Sequence, residues 1–251
     1  MIHSDTEKLQ ATHFDKIAAL YDAHYGDPCS LEYRRRFIYN PLFEGVPLNG
    51  KNVLEAMCGN GQAVEFLLNK GSTVIGLDIS PEETAAFLQK WPDCQVITGS
   101  ILESSIPDET YDTVVVIGGL HHMHPKVTEA VTEIHRILKK GGYFCFMEPP
   151  RASFVDRIRR FWYRRDPFCA ENEASIDIDQ LKITFSDRLQ FNKEIYGGNI
   201  AYLLVFSSMF FRIPLRLKPY YAPFLMKLES VFGRLQGKLF SCFVLVQCQK
   251  L

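Results

Sequence analysis

Residues 51–78 read KNVLEAMCGNGQAVEFLLNKGSTVIGLD, and this stretch constrains the fold more than any other. Val53 and Leu54 end an apolar run that predicts a short buried strand, which Glu55 closes. Cys58-Gly59-Asn60-Gly61 is a tight turn. Glycine makes such a turn cheaply because it has no Cβ to clash at positive φ. Gln62 to Lys70 predicts a helix with Val64, Phe66, Leu67 and Leu68 on its buried side, and Gly71 stands at its stop position. Thr73 to Leu77 reads as a second buried strand with Asp78 at its tip. The unit is strand, glycine turn, helix, strand.

Such a turn brings backbone N–H groups and the positive end of a helix dipole to one point, which favours an anionic group. An acid at the tip of the next strand can accept hydrogen bonds from two ribose hydroxyls. The unit therefore suits an adenosine-type ligand that carries an anionic group. A dinucleotide site expects G-x-G-x-x-G, but Val64 stands where the third glycine belongs. Glu55, just before the turn, would repel a diphosphate and suits a ligand with a cationic amino group. S-adenosylmethionine carries that amino group, a carboxylate and a ribose.

With VLEAMCGNG at 53–61, VIGLDIS at 74–80, PDETYDTVVVIGGLHHM at 107–123 and EIHRILKKGGYFCFMEP at 133–149, the chain resembles the class I S-adenosylmethionine-dependent methyltransferases of the small-molecule type. The resemblance covers about a hundred residues in the family's order. It implies an α/β fold: a Rossmann-like seven-stranded sheet, mostly parallel, with its last strand antiparallel. Helices cover both faces, and a cap insertion follows the fifth strand. It implies S-adenosylmethionine as cofactor and S-adenosylhomocysteine as product. Carried over residue by residue, the cofactor would meet Tyr21, Glu55, Ala56, Met57, Cys58, Gly59, Gly61, Asp78, Ile79, Ser100, Ile101, Ile117 and Gly118. His121 and His122 match the family's L-H-H segment and have the pKa range of a general base. A capping or packing role is the competing reading for both. The chain departs from the family at Met57, where many relatives have glycine. It departs again at Ser100, where an aspartate usually reads the adenine amino group.

The chain's 251 residues allow one large domain or one domain with a subdomain. We expect a cofactor-binding core with N-terminal lid helices at 1–150, a substrate cap at 151–235 and a closing strand at 236–251. The net charge of −1 gives no pull toward nucleic acid, and the D/N-P-P-Y/F signature of base-amine methylation is missing after the fourth strand. A small-molecule acceptor is expected instead. Seven cysteines without a C-x-x-C pair point to reduced thiols in a cytoplasmic protein, and the polar start MIHSDTEKLQ does not read as a signal peptide. The longest apolar run, Ile200 to Phe211, is shorter than the ~20 residues a spanning helix needs. His121, His122 and His124 are loop neighbours without a carboxylate cluster in sequence, so no metal is expected.

Residues 6–25 predict an amphipathic helix, which the resemblance implies is a lid over the cofactor and for whose Tyr21 and Tyr25 ordinary packing is the competing reading. Ser30 to Tyr39 predicts a second helix whose Arg34, Arg35 and Arg36 form mostly a solvated face. Ser80, Pro81 and the following glutamates predict a helix over 81–89. Strands are expected at 95–98, 112–117, 143–147, 189–196 and 239–248. Between them lies a helix over 127–138, with Lys139 and Lys140 against its C-terminal dipole and Gly141-Gly142 as its stop. Phe154 to Arg165 reads as a basic amphipathic helix, either a lid over the active site or a peripheral contact with an anionic membrane. Two rivals accompany the methyltransferase reading: a catalytically degenerate cofactor-binding regulator and an NAD-dependent Rossmann oxidoreductase.

Overall fold

All seven extended segments become strands: β1 (Asn52–Ala56), β2 (Thr73–Asp78), β3 (Gln95–Thr98), β4 (Tyr111–Ile117), β5 (Leu138–Glu148), β6 (Leu189–Gly197) and β7 (Phe243–Lys250). They form one sheet in the order β3-β2-β1-β4-β5-β7-β6 in this computed structural model, which describes residues 23–163, 174–233 and 236–251. β1 to β5 run parallel, and β7 is antiparallel to both β5 and β6. The strand order reverses between β1 and β4. In open α/β sheets that is where a crevice opens beyond the carboxyl ends of the strands. Glu55, Asp78, Gly118 and Glu148 all lie at or beside those ends.

β4 sits at the centre, with Thr113 to Val116 buried, which is why its sequence is β-branched from Thr113 to Ile117 and apolar from Val114 on. The first crossover helix, α3, spans Val64–Asn69 rather than 62–70. Val64 and Leu67 are buried, but Leu68 is 40% exposed, because it points away from the sheet one position past Leu67. The second crossover helix, α4 (Pro81–Lys90), starts as the sequence predicts, with Ser80 Oγ accepting the Glu83 N–H at 3.1 Å. The next, α5 (Val127–Ile137), turns Val127, Ala130, Val131, Ile134 and Ile137 into the core. The sequence places β5 at 143–147, yet it begins at Leu138. Lys139 therefore faces Asp112, 2.9 Å away, instead of capping α5. Gly141, at φ +73°, bends this strand rather than ending the helix. The last strand also shifts: Lys238–Phe240 is a 3-10 turn, and β7 runs from Phe243 to Lys250.

The predicted helix over 6–25 falls mostly outside the described residues. Beyond it, Asp27 caps a helical run made of α1 (Pro28–Tyr33), a π-helical stretch Arg34–Tyr39 and α2 (Asn40–Phe43). Arg34 corrects the solvated reading of the arginines, since it is only 1% exposed while Arg35 and Arg36 stay outside. Its guanidinium lies 4.9 Å from the Phe206 ring centroid and 5.5 Å from that of Tyr25, and it donates to Tyr39 Oη at 3.1 Å. Aromatic faces and a phenol replace the water it has lost.

The segment after β5 carries α6 (Phe154–Tyr163), where Phe154 and Ile158 are each 50% exposed, and α7 (Ile178–Thr184), capped by Asp177. After β6 come a π-helical turn, Tyr202–Phe206, and α8 (Lys218–Phe232). Two buried charges on α8 clasp the N-terminal helices. Glu229 accepts Tyr33 Oη–H at 2.6 Å and the N–H groups of Asn199, Ala201 and Tyr202. Lys218 Nζ donates to Asp27 Oδ2, and to His24 O and Ser30 Oγ at 2.8 Å each. Lys218 is fully buried, so its loss leaves Asp27 without its cation. Lys218→Met should cost about 3 kcal/mol in urea unfolding. Arg35→Met, which breaks an exposed pair with Glu32, should cost under about 1 kcal/mol. Equal costs would refute the clasp. No helix among the described residues is long and apolar enough to cross a membrane.

Candidate functional site

The glycine turn between β1 and α3 is fixed by two acids. Glu55, 2% exposed, accepts the Ala63 N–H on Oε1 at 2.9 Å, bracing the far side of the loop. Its Oε2 is buried and has no hydrogen-bond partner among the described residues. Burial pushes the Glu55 carboxyl up to about 7, against the Ala63 N–H and the nearby Arg34 charge. Asp78 accepts the Gly59 N–H on Oδ2 at 2.8 Å and the Ser80 N–H on Oδ1 at 3.0 Å. Burial also raises Asp78, and these N–H groups oppose the shift. Each oxygen retains lone-pair capacity for a further donor.

The backbone explains the residue types. Gly59 and Gly61 sit at φ +51° and +83°. At Gly61 a Cβ would come within 2.6 Å of Trp91 Nε1, which donates to Asn60 O at 3.0 Å. Met57 shares the left-handed region at φ +55°, so the glycine-like conformation persists without glycine. Its side chain lies over Gly119, where a Cβ would come within 2.8 Å of the Met57 sulfur. Met57 thus fills space beside the ends of β1 and β4.

Of the other sequence-derived residues, Ala56 and Cys58 are buried under the turn, and Ile79, Ile117 and Gly118 are partly open at the strand ends. Ser100 is buried and caps the 3-10 turn Ile101–Glu103 by accepting the Leu102 N–H at 3.1 Å. Ile101 packs into the core. Tyr21 lies outside the described residues.

His121 and His122 follow Gly118-Gly119 on a 3-10 turn, Leu120–Met123, with ring centroids 3.9 Å apart. His121 Nδ1 is 2.8 Å from Glu148 Oε2, and its Cε1 lies near Gly118. No group of three or more metal-ligating side chains occurs among the described residues.

Three residues escaped the sequence reading. Arg34 was hidden in a run of three arginines. Trp91 follows the end of α4 as an isolated aromatic. Glu148 fell just past the strand expected at 143–147 and was given no role, although its E-P context marked a polar residue emerging from a buried strand. Tyr25, Arg34, Asn60, Gly61, Lys90 and Trp91 line a cleft between the N-terminal helices and the glycine turn. Tyr39 Oη, which receives the Arg34 bond, donates to Gln62 O at 2.8 Å, so these helices and the turn are hydrogen-bonded together. Glu55, Asp78 and His121 thus stand at or just beyond adjoining strand ends, with the Arg34 cation on the helical stretch beside the glycine turn.

Comparison with known proteins bears on the family and the fold. The family described as "Methyltransferase domain" matches residues 54–146. An uncharacterized methyltransferase of Bacillus cytotoxicus is 32% identical over 148 residues, 57% of this chain and 68% of that protein. A fatty-acid O-methyltransferase of Mycolicibacterium smegmatis is 25% identical over 115 residues, 44% of this chain and 42% of that protein. The chain spans about half the length of the other leading curated relatives it matches. Among solved structures, the cyclase SpnF superposes with a TM-score of 0.70 at 14% identity, covering 99% of this chain and 98% of that one, a likeness of fold alone.

Proposed function

The chain belongs to the class I S-adenosylmethionine-dependent methyltransferases, and from that premise we propose that it moves a methyl group onto an oxygen or nitrogen atom of a small apolar or anionic molecule. The observation that carries the cofactor assignment is Glu55. A buried carboxylate oxygen beside the glycine turn has no partner, and a cationic amino group there would supply one. Asp78 accepts the ribose hydroxyls, and Arg34 faces the ligand's carboxylate across the cleft. When bound, the cofactor supplies a methyl group already activated by a sulfonium charge, which leaves a neutral thioether.

The protein's work is therefore to align and to exclude water. The lid helices, held by Lys218 and Glu229, close one side of the cleft. The segment around α6 and α8 would form the acceptor's side, and its wealth of Phe, Tyr, Leu and Met favours an apolar body. The fatty-acid enzyme among the relatives fits that preference. A base is needed only where the acceptor must lose a proton, and His121 and His122 stand at the strand ends for it. The segment 154–165, basic in sequence, is assigned to the cap, with contact to an anionic membrane as the alternative.

Titration calorimetry with S-adenosylmethionine, S-adenosylhomocysteine and NAD tests the assignment. Micromolar binding of the first two and none of NAD is the expected result. Binding of NAD alone would overturn it. Binding of none would favour the degenerate reading, for which Met57, packed over Gly119 at a glycine-like φ, is the specific observation.

A further inference from the structure

Glu148 ends β5, is fully buried and spends both carboxylate oxygens on the loop after β4. Oε1 accepts the N–H groups of Gly119 at 2.8 Å and Leu120 at 2.7 Å. Oε2 lies 2.8 Å from His121 Nδ1 and 3.3 Å from the His121 N–H. A carboxylate held by backbone donors on one oxygen has a fixed orientation, so its second oxygen is fixed as well. Nδ1 facing an ionised carboxylate carries the proton, because an acceptor opposite an acceptor is repulsive. The other ring nitrogen is then left unprotonated.

We propose that Glu148 is a positioning residue that holds His121 as its Nδ1–H tautomer and so makes Nε2 the acceptor for the proton of a hydroxyl-bearing methyl acceptor. The proposal rests on the methyltransferase reading and narrows its substrate class. A carboxylate acceptor is already ionised and needs no such base, whereas an alcohol or phenol does. The step assigned to His121 is a proton transfer: the acceptor's O–H bond breaks, an N–H bond forms on Nε2, and the pair left on oxygen would form the new O–C bond as the methyl–sulfur bond breaks and its pair leaves with the neutral thioether. The imidazolium so formed faces Glu148, which stabilises it. Among the described residues, His122 lies against the His121 ring and itself interacts with Asp78, and His124 shares the electrostatic field of Glu148. Of the two histidines named from sequence, His121 is the one whose ring nitrogen meets the buried Glu148 carboxylate.

Glu148→Gln discriminates orientation from simple loop support. The Gly119 and Leu120 N–H groups require an oxygen at the Oε1 position, which turns the new amide NH2 toward His121. Nδ1 must then accept, and the ring proton moves to Nε2. Burial pushes the Glu148 carboxyl up to about 7, against the loop N–H groups, so the comparison belongs at about pH 8, where the carboxylate is ionised. Long-range 1H–15N spectra of the 15N-labelled full chain, with His121→Gln for assignment, report the tautomer without any ligand. The expected result is Nδ1–H in the wild type and Nε2–H in Glu148→Gln. Nε2–H in the wild type would overturn the proposal, and so would an unchanged tautomer in the variant. If Glu148→Gln does not fold, the wild-type spectrum alone decides. S-adenosylmethionine binding by the wild type reports separately on the parent reading, so the two can fail independently.

Discussion

Asp78→Ala should lower affinity for S-adenosylmethionine by at least about 100-fold while the sheet stays folded. Two ribose hydroxyls donating to an ionised carboxylate are each worth about 1.5–3 kcal/mol, and the lower end of that sum is already two orders of magnitude. The structure adds a second route to the same loss. Asp78 Oδ2 holds the Gly59 N–H and Oδ1 the Ser80 N–H, so the alanine also frees the loop that must meet the ligand. Asp78→Asn separates the two contributions. Its amide oxygen can keep the Gly59 bond while the charge is gone, so its loss should be smaller, about 10-fold. Asp78→Ala removes the bond to the Ser80 N–H but leaves the Ser80 Oγ that accepts the Glu83 N–H at the start of α4, which is why the fold should survive, as circular dichroism would check. Unchanged affinity in Asp78→Ala would remove the ribose assignment and with it the reading of β1 to β2.

What the sequence disclosed follows from what is local. The glycine turn, Asp78 and the Ser80 cap depend on a few adjacent residues, so their geometry is written in residue type. The strands were legible because buried parallel strands are runs of Val, Ile and Leu, as at 113–117. Arg34 was illegible for the opposite reason. A guanidinium is buried only if aromatic faces arrive from elsewhere, and Phe206 comes from 172 positions away. Glu148 is the same case, since its partners are loop N–H groups nearly thirty residues upstream. The start of β5 at Leu138 was hidden because K-K-G-G reads as a helix stop, whereas Asp112 on the neighbouring strand engages Lys139 and the segment joins the sheet. Met57 shows the limit of residue-type reading from the other side. Its backbone takes the left-handed conformation without glycine, held between the end of β1 and the turn.

Glu55 should make cofactor binding pH-dependent, in a direction the structure fixes. Its carboxyl is pushed by burial from 4.5 up to about 7. A cationic amino group binds the ionised form, so binding expels a proton below that value. Affinity for S-adenosylmethionine should rise up to about tenfold per pH unit toward 7 and level off near 8. Calorimetric enthalpies between those limits should vary with the buffer's ionisation heat. Stability of the unliganded protein should run the other way. The folded state keeps the proton that the unfolded chain gives up, so this contribution is complete below 4.5 and is lost as pH rises through 7. For a fully buried group it amounts to about 3 kcal/mol. Glu55→Gln removes the ionisation while keeping an oxygen for the Ala63 N–H. It should flatten both curves and weaken binding at pH 8 by about 10- to 100-fold, the worth of one charged hydrogen bond. An affinity that stays level from pH 6 to 8 in the wild type, or a slope that survives in Glu55→Gln, would place the amino group elsewhere and leave the buried Oε2 without the ligand assigned to it.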